Sequence, residues 1–238
     1  MIAKKRLHEI DLLRGIGVIL MVVYHFFFDL NYFGLLSLHL QNFPWSFLAL
    51  SAQLIFILAA GLTFTLSFPS ALPTSKIFFT KRYYLLKLAT LALLISLITW
   101  LLFGENFVKF GILHFYVLAT ILTIPLHQLK FWNSLLGILI ISASFLFPPF
   151  ANQWWLYPLG LNKEILPAFD YFPLMPWYGV FLQGVALGHL LLKWKIPQNY
   201  QPKIRNQFLE KIGQHSLTIY LLNQPIIAGA ILLFTFLN

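Results

Sequence analysis

The chain contains no cysteine, and only 10% of its 238 residues are charged. The first absence excludes a disulfide framework, a thiolate metal site, an Fe–S cluster and a cysteine nucleophile, so any catalysis must use histidine, carboxylate or hydroxyl groups. The second excludes an ordinary soluble domain, in which about a quarter of residues are charged. Signatures of soluble enzymes are missing as well: there is no Gly-x-x-x-x-Gly-Lys phosphate loop, no Gly-x-Ser-x-Gly elbow and no His-Glu-x-x-His. What the chain has instead is 59% hydrophobic residues, including 25 Phe, 10 Tyr and 7 Trp, and a mean hydropathy of +0.78. A net charge of +9 would point to nucleic acid in a soluble protein, but in a membrane chain the placement of charges matters more than their sum.

A bilayer core of about 30 Å takes roughly 20 apolar residues per helix. Seven such stretches can be marked, at about 12–34, 45–67, 83–103, 107–127, 131–149, 175–192 and 214–237. The period-two alternation of a membrane barrel is absent, and runs such as Leu91 to Leu97 are apolar on all sides, as a lipid-facing helix requires. The expected fold is therefore all-α, a single polytopic bundle of about seven transmembrane helices over residues 1–238. The first span is too long and too polar to be a cleaved signal peptide.

Basic residues sort to one side. Fourteen of the sixteen Lys and Arg fall at the N-terminus and start of span 1, around the connections between spans 2 and 3 and spans 4 and 5, or between spans 6 and 7; Lys109 and Lys163 are the exceptions. The positive-inside rule then puts the N-terminus and the basic loops in the cytoplasm and predicts an inner (plasma) membrane protein. All seven Trp lie near proposed helix ends, as an interfacial belt predicts. The basic segment between spans 6 and 7 reads as a loop lying against anionic headgroups.

An ionisable side chain at the centre of a span costs about 3 kcal/mol or more, so the few present need partners or functions. Span 1 holds most of them. Asp11, Arg14, His25 and Asp29 follow the three-four spacing of one helix face, which must look into the bundle. Asp11 and Arg14 pair near the cytoplasmic end, and His25 and Asp29 lie roughly 16 Å further along at 1.5 Å per residue. A carboxylate one turn from an imidazole can accept its N–H and fix its tautomer, the arrangement of an orienting acid and a base. A satisfied structural pair and a cation site are the alternatives. His114 in span 4 has a depth similar to His25; the two could line one cavity or, less favoured, ligate a haem. His189 and His215 fall near the cytoplasmic face and His39 in a loop, while Gln183 reads as interhelical glue.

Four ordered blocks carry a family resemblance. The run from Arg6 through Asp11-Leu-Leu-Arg14-Gly15 to His25-Phe-Phe-Phe-Asp29, the block Phe110-Gly-Ile-Leu-His114, the block Asp170-Tyr-Phe-Pro-Leu-Met-Pro-Trp to Gly184, and Gly213-Gln-His-Ser to Asn223-Gln224-Pro225 resemble bacterial membrane proteins grouped with the catalytic region of heparan-α-glucosaminide N-acetyltransferase. These belong to the wider transmembrane acyltransferase superfamily. The resemblance implies transfer of an acetyl or other acyl group from acetyl-CoA or another acyl-CoA, as co-substrate, to a sugar hydroxyl or amine or a glycolipid acceptor, within membrane lipid. It implies no metal, prosthetic group or nucleic acid. His25 is carried over as catalytic, and Asp11 and Arg14 match the family's Asp-x-x-Arg-Gly; His25, oriented by Asp29 one turn away, would act as general base or as the carrier of an acyl-His intermediate, and Asp11, Arg14, His114 and Gln224 are candidate substrate-binding residues, the role of His114 being open. Asn223 stands where His is expected before Gln-Pro, which argues against a titrating group in span 7. The competing class is a proton-coupled solute transporter using the same His–Asp stripe, for which no repeat symmetry or paired broken helices are found.

Overall fold

The computed structural model describes residues 7–68, 72–164, 166–194 and 205–237. Of the basic residues that set the expected orientation, Lys4, Lys5, Arg6, Lys195 and Lys203 lie outside the described residues. Among the described residues there are no strands, and the helices run in the order α1 (His8–Tyr32), α2 (Trp45–Leu66), α3 (Thr74–Phe103), α4 (Ile112–Leu126), α5 (Trp132–Leu146), α6 (Leu174–Lys193), α7 (Gln207–Gln214) and α8 (Ser216–Leu237). The chain is an all-α membrane bundle, as composition required. Six of the helices are long and apolar enough to cross a bilayer, and α5 is a shorter apolar helix.

Each departure from the expected spans has a local cause. The fifth stretch was expected to reach 149, but α5 stops at Leu146 because Pro148 forces the residue before it out of the helical region; Phe147 is extended, with φ −113 and ψ 91. Its 15 residues cover about 22 Å, less than the hydrocarbon core. The third helix starts nine residues before the expected position, so Lys76, Lys81 and Arg82 are carried on a helix rather than in a loop. Two of these cations lie over aromatic faces, Lys81 over Tyr84 at 4.8 Å and Phe68 at 5.3 Å, and Arg82 over Tyr83 at 4.8 Å. The fourth helix begins at Ile112 rather than 107, because Gly104, at φ +56, ends α3 and a short 3-10 turn, Gly104–Asn106, follows.

The chain divides into two compact units, one of residues 1–59 and 195–238, the other of residues 60–194. In the first unit α1 packs along α7 and α8. The segment expected to lie as a loop on headgroups is in part the helix α7, capped at its start by Asn206, whose side chain accepts from the N–H groups of Phe208 and Leu209 at 3.2 Å. Glycine makes the α1–α7 crossing possible: a Cβ at Gly15 would overlap the carbonyl of Leu209, and one at Gly213 the carbonyl of Asp11. His8 Nδ1 and Glu210 Oε2, 2.8 Å apart, tie the same crossing.

The second unit is built on α3–α4 and α5–α6 pairs. Its interior is centred on Phe115, Phe181, Leu182 and Val185, all fully or almost fully buried. Gln183 acts as interhelical glue: Ser134 Oγ donates to its Oε1 at 2.8 Å and its Nε2 donates back to the Ser134 carbonyl at 2.9 Å. The outward surface is apolar, as lipid demands; Leu86, Leu93 and Leu101 of α3 and Leu233 and Phe236 of α8 are exposed. Five of the seven Trp residues sit at helix ends: Trp45 and Trp132 begin α2 and α5, Trp100 and Trp177 occupy terminal turns, and Trp194 follows α6; Trp154 and Trp155 lie instead in a short 3-10 turn of the α5–α6 connection.

Candidate active site

The candidate site is assembled in the first unit from α1, α7 and α8. At one end Asp11, buried, accepts from Gln214 Nε2 at 3.4 Å, with Arg14 one turn on and half-buried. Further along α1, His25 and Asp29 meet consecutive residues of α8. His25 Nδ1 is 2.7 Å from Asn223 Oδ1, and Gln224 Nε2 donates to Asp29 Oδ1 at 3.4 Å. The two contacts between α1 and α8, His25 with Asn223 and Asp29 with Gln224, advance in the same sense along both helices, so α1 and α8 run parallel here.

The hydrogen-bond network fixes the state of the imidazole. Asn223 Nδ2 donates to the Tyr220 carbonyl at 2.7 Å, which orients the amide and leaves Oδ1 as the atom facing His25. An amide oxygen only accepts, so His25 Nδ1 carries the hydrogen and donates it. In the neutral ring, Nε2 then holds the lone pair. No hydrogen bond to His25 Nε2 is formed by the described residues. The expectation that Asp29 would accept from His25 and fix its tautomer is corrected. The two share a face, but the orienting acceptor is the neutral amide of Asn223, and Asp29 faces Gln224. A side chain at i+4 competes with any suitable acceptor on a packed neighbouring helix, and here the neighbour's amide oxygen takes the Nδ1 hydrogen. Pro225, which follows this pair, cannot donate to the carbonyl four residues earlier, so the helix ladder is one bond short beside the site.

His114 belongs to the second unit, at the start of α4. Its Nδ1 accepts from the Gly111 N–H at 3.2 Å, and its Nε2 lies 3.3 Å from Ser96 Oγ, which itself donates to the Val108 carbonyl at 2.6 Å. With Nδ1 accepting, Nε2–H is the donor to Ser96, so both ring nitrogens are engaged. The next N–H of the same helix end, that of Ile112, donates to Asp170 Oδ2 at 3.0 Å. Asp170 therefore sits at the positive end of α4, where a carboxylate is favoured. Residues 110 and 170–172 also pair, Phe172 N–H donating to the Phe110 carbonyl at 2.9 Å. The second and third motif blocks thus meet each other in the second unit, just as the first and last meet in the first.

Two features had no counterpart in the sequence reading. His127 is fully buried with its ring centroid 5.1 Å from that of His189, which at 4% exposure is itself a buried side chain and not a solvated one. His127 closes α4, and only the packing of α4 against α6 brings it to His189; no spacing along the chain signals the pair. In the connection between α5 and α6, the rings of Tyr157 and Tyr171 lie against each other, centroids 4.4 Å apart and planes tilted by 30°, and the Tyr171 hydroxyl donates to the Tyr157 carbonyl at 2.7 Å. Burial pushes both phenols up to about 12.

Among the described residues no group of three or more His, Cys, Asp or Glu is placed to hold a metal ion. No curated protein and no solved structure gives a significant match to this chain. One family profile does, described as heparan-alpha-glucosaminide N-acetyltransferase, catalytic, and its match runs over residues 6–225, from the Arg6 that opens the first motif block to the Pro225 that ends the last. With nearly the whole bundle matched in this way, the chain belongs to the heparan-alpha-glucosaminide N-acetyltransferase catalytic family.

Proposed function

We propose that the protein is a membrane acyltransferase that moves an acetyl or other acyl group from a CoA thioester to a hydroxyl or amine of a sugar or glycolipid, with His25 Nε2 as the general base. Membership of the family supports an acetyltransferase-type activity in the membrane. The observation that carries the residue assignment is the His25–Asn223 hydrogen bond, because it engages Nδ1 and leaves the basic Nε2 with no competing hydrogen bond among the described residues.

In this reading the acceptor X–H gives its proton to Nε2 as X attacks the thioester carbonyl. The tetrahedral intermediate then collapses, the C–S bond breaks, and the imidazolium returns the proton to the departing CoA thiolate. The products are the acylated acceptor and free CoA thiol, and His25 ends in its starting state. Asn223 keeps its acceptor on Nδ1 throughout, so a ring that is protonated at Nε2 still has its second N–H satisfied. Arg14, next to Asp11 at the other end of α1, offers a cation for a CoA phosphate. The basic segments are assigned to the cytoplasmic side of the inner membrane, where acyl-CoA is met.

The test is labelled acyl-CoA with purified protein in lipid and a panel of lipid-linked sugars, envelope glycans and amino sugars. Removal of the base in His25→Ala is expected to lower transfer by about 10²–10⁴-fold. Undiminished transfer by that variant rejects the assignment, and solute flux in thioester-free liposomes that depends on His25 replaces the enzyme with a transporter.

A further inference from the structure

The contact between Asp29 and Gln224 contains three oxygens and one visible donor. Gln224 Nε2 donates to Asp29 Oδ1, and the two oxygens left over, Asp29 Oδ2 and Gln224 Oε1, are both buried with no hydrogen-bond partner among the described residues. Asp29 as a whole is 4% exposed. No Lys or Arg forms an ion pair with it among the described residues. The titratable neighbour on α1 is His25, one turn away, and its Nδ1–H is already given to Asn223. On the facing helix α8 the neighbours are the neutral amides of Asn223 and Gln224. A carboxylate in this place would be a buried charge with neither a cation nor a full set of donors, the most expensive way to bury a polar group.

Two acceptors on side chains that are already joined by one hydrogen bond can be satisfied together by a single proton. We propose that Asp29 is held as a neutral carboxylic acid, its Oδ2–H donating to Gln224 Oε1 while Gln224 Nε2–H donates to Asp29 Oδ1, so that acid and amide close one reciprocal ring. Gln224 fits this role because a primary amide offers a donor and an acceptor side by side, the complement of a protonated carboxyl. A carboxylate has no donor to return. The ring also accounts for why consecutive amides occupy 223 and 224: each satisfies one polar group of α1, and each does so without charge.

For the chemistry, and resting there on the proposed function, the consequence is that His25 works without a fixed negative charge one turn away. Its Nε2 lone pair stays available to the acceptor's proton instead of being held in an ion pair with Asp29. Asp29 is then a positioning residue that braces α1 against α8 beside the base.

The assignment is read without turnover, by infrared difference spectroscopy of the full chain in lipid at neutral pH. Wild type minus Asp29→Asn is expected to show the carbonyl band of a protonated carboxylic acid, and in Gln224→Leu that band moves to higher frequency because its amide partner is gone. Carboxylate bands in place of the acid band overturn the proposal, and so does an acid band that Gln224→Leu leaves unmoved. Thermal midpoints give a second reading. Asn at 29 can complete the same ring, so Asp29→Asn is expected to match wild type while Asp29→Ala falls below both; an Asp29→Asn midpoint as low as that of Asp29→Ala overturns the ring. Failure of the acyltransferase reading is recognised separately, since an acid band can be present in a protein that transfers no acyl group.

Discussion

The Nδ1–H of His25 on α1 is donated to the Oδ1 of Asn223 on α8 across 2.7 Å, and the amide is itself anchored on the Tyr220 carbonyl. This single relationship assigns a tautomer to the one imidazole on the polar face of the C-terminal half of α1. It also gives Asn223 a purpose that a missing histidine had seemed to remove: the position needs an acceptor of fixed orientation, which an amide supplies at any pH.

Replacing that acceptor should weaken catalysis through His25 alone. In Asn223→Leu the imidazole loses a hydrogen bond worth about 1 kcal/mol net, and transfer is expected to fall on the order of tenfold, expressed in kcat more than in KM. Asn223→Asp, which keeps an acceptor oxygen, should recover part of the loss and alter the pH–rate profile. Equal activity in wild type and Asn223→Leu at all pH values removes Asn223 from the mechanism.

His114 is expected to act on stability. Its two ring nitrogens connect the Gly111 N–H at the start of α4 to Ser96 on α3, and loss of a helix-start partner costs about 0.5–2 kcal/mol. A lowered thermal midpoint in His114→Ala is the expected result. A raised KM for acceptor with an unchanged midpoint would instead make it a substrate ligand.

The α1–α7 crossing should tolerate no side chain. A methyl at Gly15 or Gly213 meets the backbone of the opposite helix and not a flexible side chain, so Gly15→Ala and Gly213→Ala are each expected to destabilise by about 1–3 kcal/mol through overpacking. Gly229, whose Cβ would meet nothing within 4 Å, serves as the control, and its Ala variant should melt with wild type or slightly above it.

The paired tyrosines give a pH signature. Tyr157 and Tyr171 are pushed up to about 12 in the folded protein, against about 10 in an unfolded chain. Between those values the folded state binds more protons, so stability is fully present below pH 10 and declines as pH rises toward 12. Denaturation midpoints across that range should fall in wild type and fall less in Tyr171→Phe. Phenolate absorbance appearing near pH 10 from both residues in the folded state would contradict the burial.

Composition and period alone determined that this chain is an all-α membrane bundle, because no soluble core can be built with so little charge and because each apolar run has helical rather than alternating character. They also determined which face of α1 is polar, since Asp11, Arg14, His25 and Asp29 repeat at three and four residues. Helix ends were less legible where a single residue overrules an apolar run, as Pro148 does for α5 and Gly104 for α3. What only the tertiary structure decided is who partners whom. An (i, i+4) spacing brings His25 and Asp29 within reach of each other, but which hydrogen bond forms depends on what the facing helix presents. Asn223 and Gln224 lie almost two hundred residues away in sequence, at |i−j| of 198 and 195 from His25 and Asp29. The same holds for His127 and His189, which carry no shared pattern along the chain. Spacing fixes the face on which a side chain emerges, whereas hydrogen bonds, being short and directional, are fixed by the approach of one helix to another.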